Sequence, residues 1–254
     1  MEISARTARL NVLDMIYAAQ SSHIGSNFSC IDLIDTLFKR IDPVIDEFVC
    51  SKGWVAATVY YYLTSKGVIP EDALDRYCKE GEEEWIGLVE PKGVFGLRAA
   101  GGSVGYGLSF GVGFAKARKL ARRPGQVYVL MSDGEMNTGM VWESAQVASH
   151  HQLNNLVAIV DYNKLQATGT TDQVLALGSL ADKWRAFDWR VSEIDGHDPT
   201  AIDAALDRRY LSPHIIIAHT TKGKGVSFME NKLEWHYKNL SDEDYENAKQ
   251  ELCA

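Results

Sequence analysis

Three short stretches of this chain combine residues suited to holding a cation and a phosphate, and each closes a run of apolar residues. QVYVLM leads into Ser132-Asp133-Gly134-Glu135, and LVAIVD runs through Asp161 into Tyr162-Asn163-Lys164-Leu165. HIIIAH leads into Thr220-Thr221-Lys222-Gly223-Lys224-Gly225. Mg2+ takes oxygen ligands in an octahedron and commonly shares them with phosphate. One carboxylate (Asp133), one amide oxygen (Asn163) and a backbone carbonyl suit it, with the remaining positions left to phosphate and water. Gly134 lets a phosphate approach the backbone, and the helix that follows offers free N–H groups to an anion. The same residue types also suit ordinary turns, because Asp and Asn favour them. Lys222 and Lys224 read equally well as solvated charges.

These stretches act together only if the elements before them lie side by side. QVYVLM, LVAIVD, residues 191–194 and HIIIAH (214–219) are continuous apolar runs, and helical patterns over 140–149 and 199–208 separate them. Such alternation predicts an α/β fold, a parallel sheet with helices on both faces. Ligands then bind at the carboxyl ends of its strands. Upstream, Ala8, Val12, Met15, Ile16 and Ala19 repeat at helical spacing. SSHIGSNFS (21–29) reads as a polar loop before a helix over about 30–39, and further helices are expected over 53–65, from Pro70, and over 102–120. Residues 81–101 lack periodicity and read as a long loop, the kind that is usually functional or disordered. Ser241 before Asp-Glu-Asp marks a last helix start.

With 254 residues, 46% of them hydrophobic, the chain can bury a large core, and one domain over 1–254 is expected. A net charge of −8 argues against a nucleic-acid surface, which usually carries a basic patch. The basic cluster 116–123 reads as the solvated end of a helix. Cys30, Cys50, Cys78 and Cys253 form no C-x-x-C pair, which fits reduced thiols in a cytoplasmic protein. No signal-peptide pattern and no apolar run of membrane-spanning length is present, so no membrane role is expected.

The ordered series D-G-E, Asn163 thirty positions after Asp133, GMVWESAQVASHHQLNNLVAIVDYNKLQATG, LADKWRAFDWRVSEIDGHD and AHTTKGKGVSFMENKLEWH resembles thiamine-diphosphate-dependent transketolases. Weaker matches lie at HIGS (23–26) and GGSVGYGLSFGVGFA (101–115), so the resemblance covers nearly the whole chain. It implies the family's diphosphate-binding fold, with thiamine diphosphate and Mg2+ as cofactors. Asp133 and Asn163 match the side-chain Mg2+ ligands, and Leu165 the residue giving a backbone carbonyl. Gly134 matches the diphosphate-contacting glycine, with Glu135 beside it. Gly102 and Val104 match aminopyrimidine contacts, and Lys222 belongs to the cofactor-side loop. His23 and His236 match histidines facing the donor substrate, His236 lying near the diphosphate as well. Glu143 matches an acid that couples active sites across the dimer.

The resemblance also implies a partner. The family's activating glutamate lies on a pyrimidine-binding domain that follows this one in long-chain members. Split versions carry it on a separate polypeptide, and the length here fits one half of such a split enzyme, in an α2β2 heterotetramer. The expected reaction is transfer of a two-carbon ketol unit from a ketose to an aldehyde. Alternatives are carbonyl transfer from a 2-oxo acid donor and a non-catalytic, cofactor-binding or regulatory relative. Three departures stand out. Ser132 replaces the motif's first glycine, Trp54 in SKGWVAA stands where the family has a histidine, and IGLVEPKGVFG (86–96) lacks the family's G-H-P. Trp54 reads either as substrate contact or as packing under the neighbouring helix, and a non-standard substrate is the expectation.

Overall fold

Apolar runs without alternation become strands covered on both sides, because each face of the sheet then needs hydrophobic residues. A computed structural model describes residues 4–99 and 101–254. Its sheet has five parallel strands: β1 (Glu47–Cys50), β2 (Val127–Ser132), β3 (Leu156–Tyr162), β4 (Arg190–Asp195) and β5 (His214–His219). They are ordered β1-β2-β3-β5-β4. Along β2, Val127, Val129 and Met131 enter one buried cluster while Tyr128 and Leu130 enter the other. Along β5, Ile215 and Ile217 oppose Ile216 and Ala218 in the same way.

The helices divide between the faces. In chain order they are α1 (Ala5–Ala18), α2 (Ile24–Arg40), α3 (Ala56–Ser65), α4 (Asp72–Arg76), α5 (Tyr106–Leu120), α6 (Gly139–His150), α7 (Thr171–Leu175), α8 (Leu180–Ala186), α9 (Pro199–Asp207) and α10 (Asp242–Cys253). Helices α1, α2, α3, α9 and α10 supply one cluster through residues such as Ala8, Phe28, Val59, Ile202 and Ala248. Helices α5, α6 and α8 supply the other through Leu108, Val141 and Trp184. The expected α/β architecture is present, and no described helix is long and apolar enough to cross a membrane.

Four features differ from the sequence expectation. Helix α2 begins at Ile24, well before residue 30, because the polar residues of its first turns are buried rather than looped out. Asn27 accepts from the Thr58 N–H (3.1 Å) and hydroxyl (2.9 Å). Strand β1 has four residues, too few to show a pattern, yet all are buried. Helices α7 and α8 are also short, and start where Thr170 and Ser179 cap them. Part of the basic cluster is structural: Arg118 donates to the Asp46 carbonyl (3.0 Å) and Lys119 to that of Gln152 (2.5 Å).

Among its described residues, the long segment before α5 has no helix or strand, only an isolated bridge between Val94 and Leu97. It is fastened to the end of β1 by backbone. Val89 N–H donates to Gly53 O (3.0 Å), Gly101 N–H to Val89 O (2.8 Å) and Gly102 N–H to Ser51 O (3.2 Å). The approach is so close that a Cβ on Gly53 would lie 2.3 Å from the Gly101 carbonyl carbon. Backbone, unlike a side-chain tip, cannot swing away. Gly53→Ala is therefore expected to cost about 1–3 kcal/mol by overpacking, measured by urea denaturation. A loss below about 0.5 kcal/mol would show that this contact does not hold the segment down.

Candidate cofactor site

A cavity of about 310 Å³ opens at the carboxyl ends of β1, β2, β3 and β5. Beneath it lies a buried ion pair between the Lys52 ammonium, just after β1, and the Asp161 carboxylate of β3. Asp161 also accepts from the Ser29 hydroxyl of α2 (2.5 Å) and from the Thr220 hydroxyl after β5. Lys52 donates to the Ser26 carbonyl as well (3.3 Å). Burial opposes the charge on Asp161, but Lys52 and the hydroxyls outweigh it and hold the carboxyl below its usual range. Burial likewise opposes the charge on Lys52, and Asp161 more than restores it.

Above this floor the oxygen-bearing residues meet. Asp133, Asn163 and Leu165 all line the cavity beside Gly134. Asp133 is 2% exposed and accepts from the N–H groups of Gly134 (2.8 Å) and Lys164 (2.6 Å). Burial first, and then the Asp161 charge, push its carboxyl up to about 7. Asn163 Oδ1 accepts from Leu165 N–H (3.0 Å), which turns the chain at the end of β3. Among the described residues no hydrogen bond is donated to the Leu165 carbonyl. No group of three or more His, Cys, Asp and Glu that would hold an ion occurs among them either. A cation here would take one carboxylate, amide and carbonyl oxygens, and oxygens of its ligand. That donor set fits Mg2+ bound with a diphosphate.

The opposite wall is basic and aromatic. Lys222 is 1% exposed, and its ammonium lies 2.8 Å from His236 Nδ1. Burial, and then Lys52, lower the Lys222 ammonium to about 8. Burial and Lys222 lower His236 to about 3, and burial and Lys222 lower His23 to about 4. Both imidazoles are thus neutral at pH 7. With Lys222 donating to Nδ1, the His236 proton sits on Nε2. The two rings meet edge to face at 5.0 Å. The loop that carries Lys222 is fixed from below. Arg9 grips Asp32 with two nitrogens (2.6 and 3.1 Å), Asp32 meets His197 Nδ1 (2.7 Å), and His197 Nε2 accepts the Thr221 N–H (2.8 Å).

Of the residues singled out in the sequence, His23, Gly102, Val104, Asp133, Gly134 and Asn163 line this one cavity, as do Leu165, Lys222, His236 and Trp54. Two do not. Glu135 is fully buried and turned away, accepting from the Ser51 hydroxyl and from Ser132 N–H (3.3 Å). Burial raises its carboxyl to about 7. Glu143 is exposed on α6. The paired lysines part company: Lys222 is buried, while Lys224 is half-exposed and faces Glu230 at 3.5 Å. Trp54 packs on the α1–α2–α3 core and also lines the cavity. Sequence reasoning missed Lys52, the partnership of Asp161, the His197 support and Gln166, another lining residue. Lys52 follows a strand too short to see. His197 could have been found as a histidine just beyond the strand end in EIDGHD.

Oxygen donors and buried lysines converge at the carboxyl edge of a parallel sheet, a set of groups that would suit a metal-bound phosphate ligand. The family model described as "Transketolase, thiamine diphosphate binding domain" matches residues 2–254, and the chain belongs to that family. It is 37% identical over 265 residues to one of the subunits of the apulose-4-phosphate transketolase of Phocaeicola vulgatus, covering 99% of this chain and 93% of that one. It is 34% identical over 264 residues to the 6-deoxy-6-sulfo-D-fructose transketolase subunit SqwG of a Clostridium species, covering 99% and 96%. The crystal structure of transketolase from Campylobacter jejuni superposes with a TM-score of 0.90 at 26% identity over 98% of this chain. The chain spans only 42% of that enzyme's length.

Two outcomes follow from the electrostatics. Asp161→Asn strands the Lys52 charge in the interior and is expected to cost about 3–5 kcal/mol in urea denaturation; a loss under about 1 kcal/mol would contradict the role of this pair as the floor of the cavity. Lys222 titrates near 8 when folded against 10.5 for an ordinary lysine. The unfolded chain therefore binds more protons between those values, and stability rises with pH across that window. Lys222→Met removes the penalty. It should be more stable than the parent at pH 7, by a margin that shrinks towards pH 10; a margin independent of pH would contradict the assignment.

Proposed function

We propose that residues 1–254 form the diphosphate- and Mg2+-binding unit of a two-component transketolase, which moves a two-carbon ketol group from a ketose donor to an aldehyde acceptor. The carrying observation is the convergence of Asp133, Asn163, Leu165, Gly134 and Lys222 on one cavity at the strand ends. Asp133, Asn163 and the Leu165 carbonyl would hold Mg2+. Gly134 admits the diphosphate, and Lys222 offsets its charge. When bound, thiamine diphosphate supplies a stabilised carbanion centre, which this chain binds and orients. His236, which lines the cavity, carries an Nε2–H donor, and neutral His23 would accept or give a proton at substrate oxygens.

A partner subunit bearing a pyrimidine-binding domain, in an α2β2 assembly, completes the reading. Two observations support it. Relatives of nearly the same length are named as subunits, and the Campylobacter jejuni transketolase is more than twice as long. Glu143 lies exposed on α6, where another subunit would meet it. The substrate class follows from Trp54. An indole in the cavity replaces a hydrogen-bonding imidazole with an apolar plane, so the donor differs from an ordinary pentose phosphate. The named substrates of the two relatives, apulose 4-phosphate and a sulfo-sugar, lie in that direction.

The test is a mild pull-down of tagged chain from its own cells, with mass spectrometry for proteins and for thiamine diphosphate. A partner of comparable size with cofactor is expected, and the complex should transfer two-carbon units. Asp133→Asn should abolish Mg2+-dependent cofactor retention. Trp54→His should shift donor preference towards xylulose 5-phosphate by about tenfold, the size of one well-placed hydrogen bond. High parental activity on that sugar, or no shift, would sink the Trp54 reading. Neither partner nor cofactor, even with both cofactors added, would overturn the enzyme reading.

A further inference from the structure

The two histidines that line the cavity differ in what holds Nδ1. His236 Nδ1 faces the Lys222 ammonium at 2.8 Å. An ammonium only donates, so this nitrogen is always the acceptor and the ring proton stays on Nε2. His23 Nδ1 instead lies 2.7 Å from the hydroxyl of its chain neighbour, Ser22. A hydroxyl both donates and accepts. It can therefore pair Nδ1 whether that nitrogen is bare or protonated. Among the described residues the Ser22 hydroxyl has no other hydrogen-bond partner, so no second group dictates its direction.

The rest of His23 is fixed in place. Its backbone is left-handed, with φ 72°, which is uncommon outside glycine and persists only where the surroundings enforce it. Here they do so from both sides. His23 N–H donates to His236 O (3.1 Å), and the His23 carbonyl accepts from Ser26 N–H (3.1 Å), Asn27 N–H (3.0 Å) and Asn27 Nδ2 (2.9 Å). The ring meets those of His236 at 5.0 Å and Tyr237 at 5.5 Å, both edge to face. Burial and the lysines keep it neutral at pH 7, so one nitrogen carries the proton and the other is bare. With Nδ1 taken by Ser22, a hydrogen bond from this ring to a bound molecule runs through Nε2.

We propose that Ser22 is a positioning residue for His23: its hydroxyl holds Nδ1 in either tautomer and so lets Nε2 take a substrate proton and give it back. This rests on the transketolase reading above. Ketol transfer breaks a carbon–carbon bond of the ketose, and the hydroxyl on the departing carbon loses its proton as an aldehyde forms. The electron pair of that bond stays with the two-carbon unit. It later makes the new bond to the acceptor aldehyde, whose oxygen gains a proton. A single base that keeps one proton and returns it balances both halves. With Nδ1–H donating to Ser22, Nε2 is bare and takes the proton, then gives it back. When the resting proton sits on Nε2, Ser22 turns and donates to Nδ1, and Nε2–H holds a substrate oxygen. His236, locked by Lys222, has only the second ability.

The experiment is proton–nitrogen correlation NMR at pH 7 on the full chain, labelled at the histidine nitrogens, with H23Q identifying the His23 signals. In the parent the two His23 nitrogens should resonate between the values of the pure tautomers. S22A removes the hydroxyl, and the ring should move to the Nε2–H form that an isolated imidazole prefers. S22T keeps a hydroxyl and should keep the parent pattern, while His236 shows Nε2–H throughout. The S22A melting temperature should stay near the parent's, since the bond sets a ring rather than the fold. In the two-subunit complex, assayed on xylulose 5-phosphate and apulose 4-phosphate, S22A should lower kcat about tenfold with KM unchanged, and S22T should recover it. An unchanged His23 tautomer in S22A, or S22A turnover equal to the parent's, overturns the proposal. If neither partner nor cofactor is recovered with the tagged chain, the transketolase reading falls and takes the catalytic role with it, while the S22A spectra still show whether Ser22 sets the tautomer.

Discussion

The Lys52–Asp161 pair is the constraint on which the site depends. Moving two charges out of water costs several kcal/mol each, and their attraction repays this only when further bonds satisfy them. Here the further bonds come from separate elements: Ser29 and the Ser26 carbonyl of α2, and Thr220 after β5. A pair that needs all of them fixes their relative positions. The ends of β1, β3 and β5 and the start of α2 are thereby locked beneath one cavity. The polar first turns of α2, odd for a buried helix, are explained by this demand.

Closing the floor electrically leaves the layer above it unbalanced. Asp133 is pushed up to about 7 and Lys222 down to about 8, so each is driven towards its neutral form. Neither shift favours the chain by itself. Opposed shifts of this kind within one cleft mark a site prepared for a ligand. A cation at the carboxylate and an anion at the ammonium would relieve both, and a metal-bound diphosphate brings them together. The Arg9–Asp32–His197 chain serves the same end by seating the loop that carries Lys222, so that its ammonium stays where water does not reach it.

Much of this was legible in the sequence for a simple reason. Strands buried on both faces need unbroken apolar runs, and QVYVLM, LVAIVD and HIIIAH are unbroken. Residues just beyond such runs fall on one edge, which is why Asp133, Asn163 and Lys222 stand out together. Illegible parts share a different physical character. Strand β1 gains its burial from neighbours rather than from length. Ser26, Asn27 and Ser29 are buried because their hydrogen bonds are met at distant positions, which no local pattern records. Lys52 looks like a surface residue until the third dimension supplies its partner. Glu135 stands inside the recognisable motif yet turns beneath it, towards Ser51.

Exposed apolar side chains on α5 and α6 bear on how the cavity is closed. Tyr106 and Phe110 on α5 are 48% and 40% exposed, and Val147 on α6 is 42% exposed. Val104, which lines the cavity, is 43% exposed just before α5. Single exposed apolar residues are ordinary, and several on one packed helix pair would suit cover by another chain. Helix α6 also carries Glu143 outward. The cavity edge and this face run together at residues 102–106. A second chain seated there would close the cavity and cover the apolar helices with one contact, linking assembly to the formation of the site.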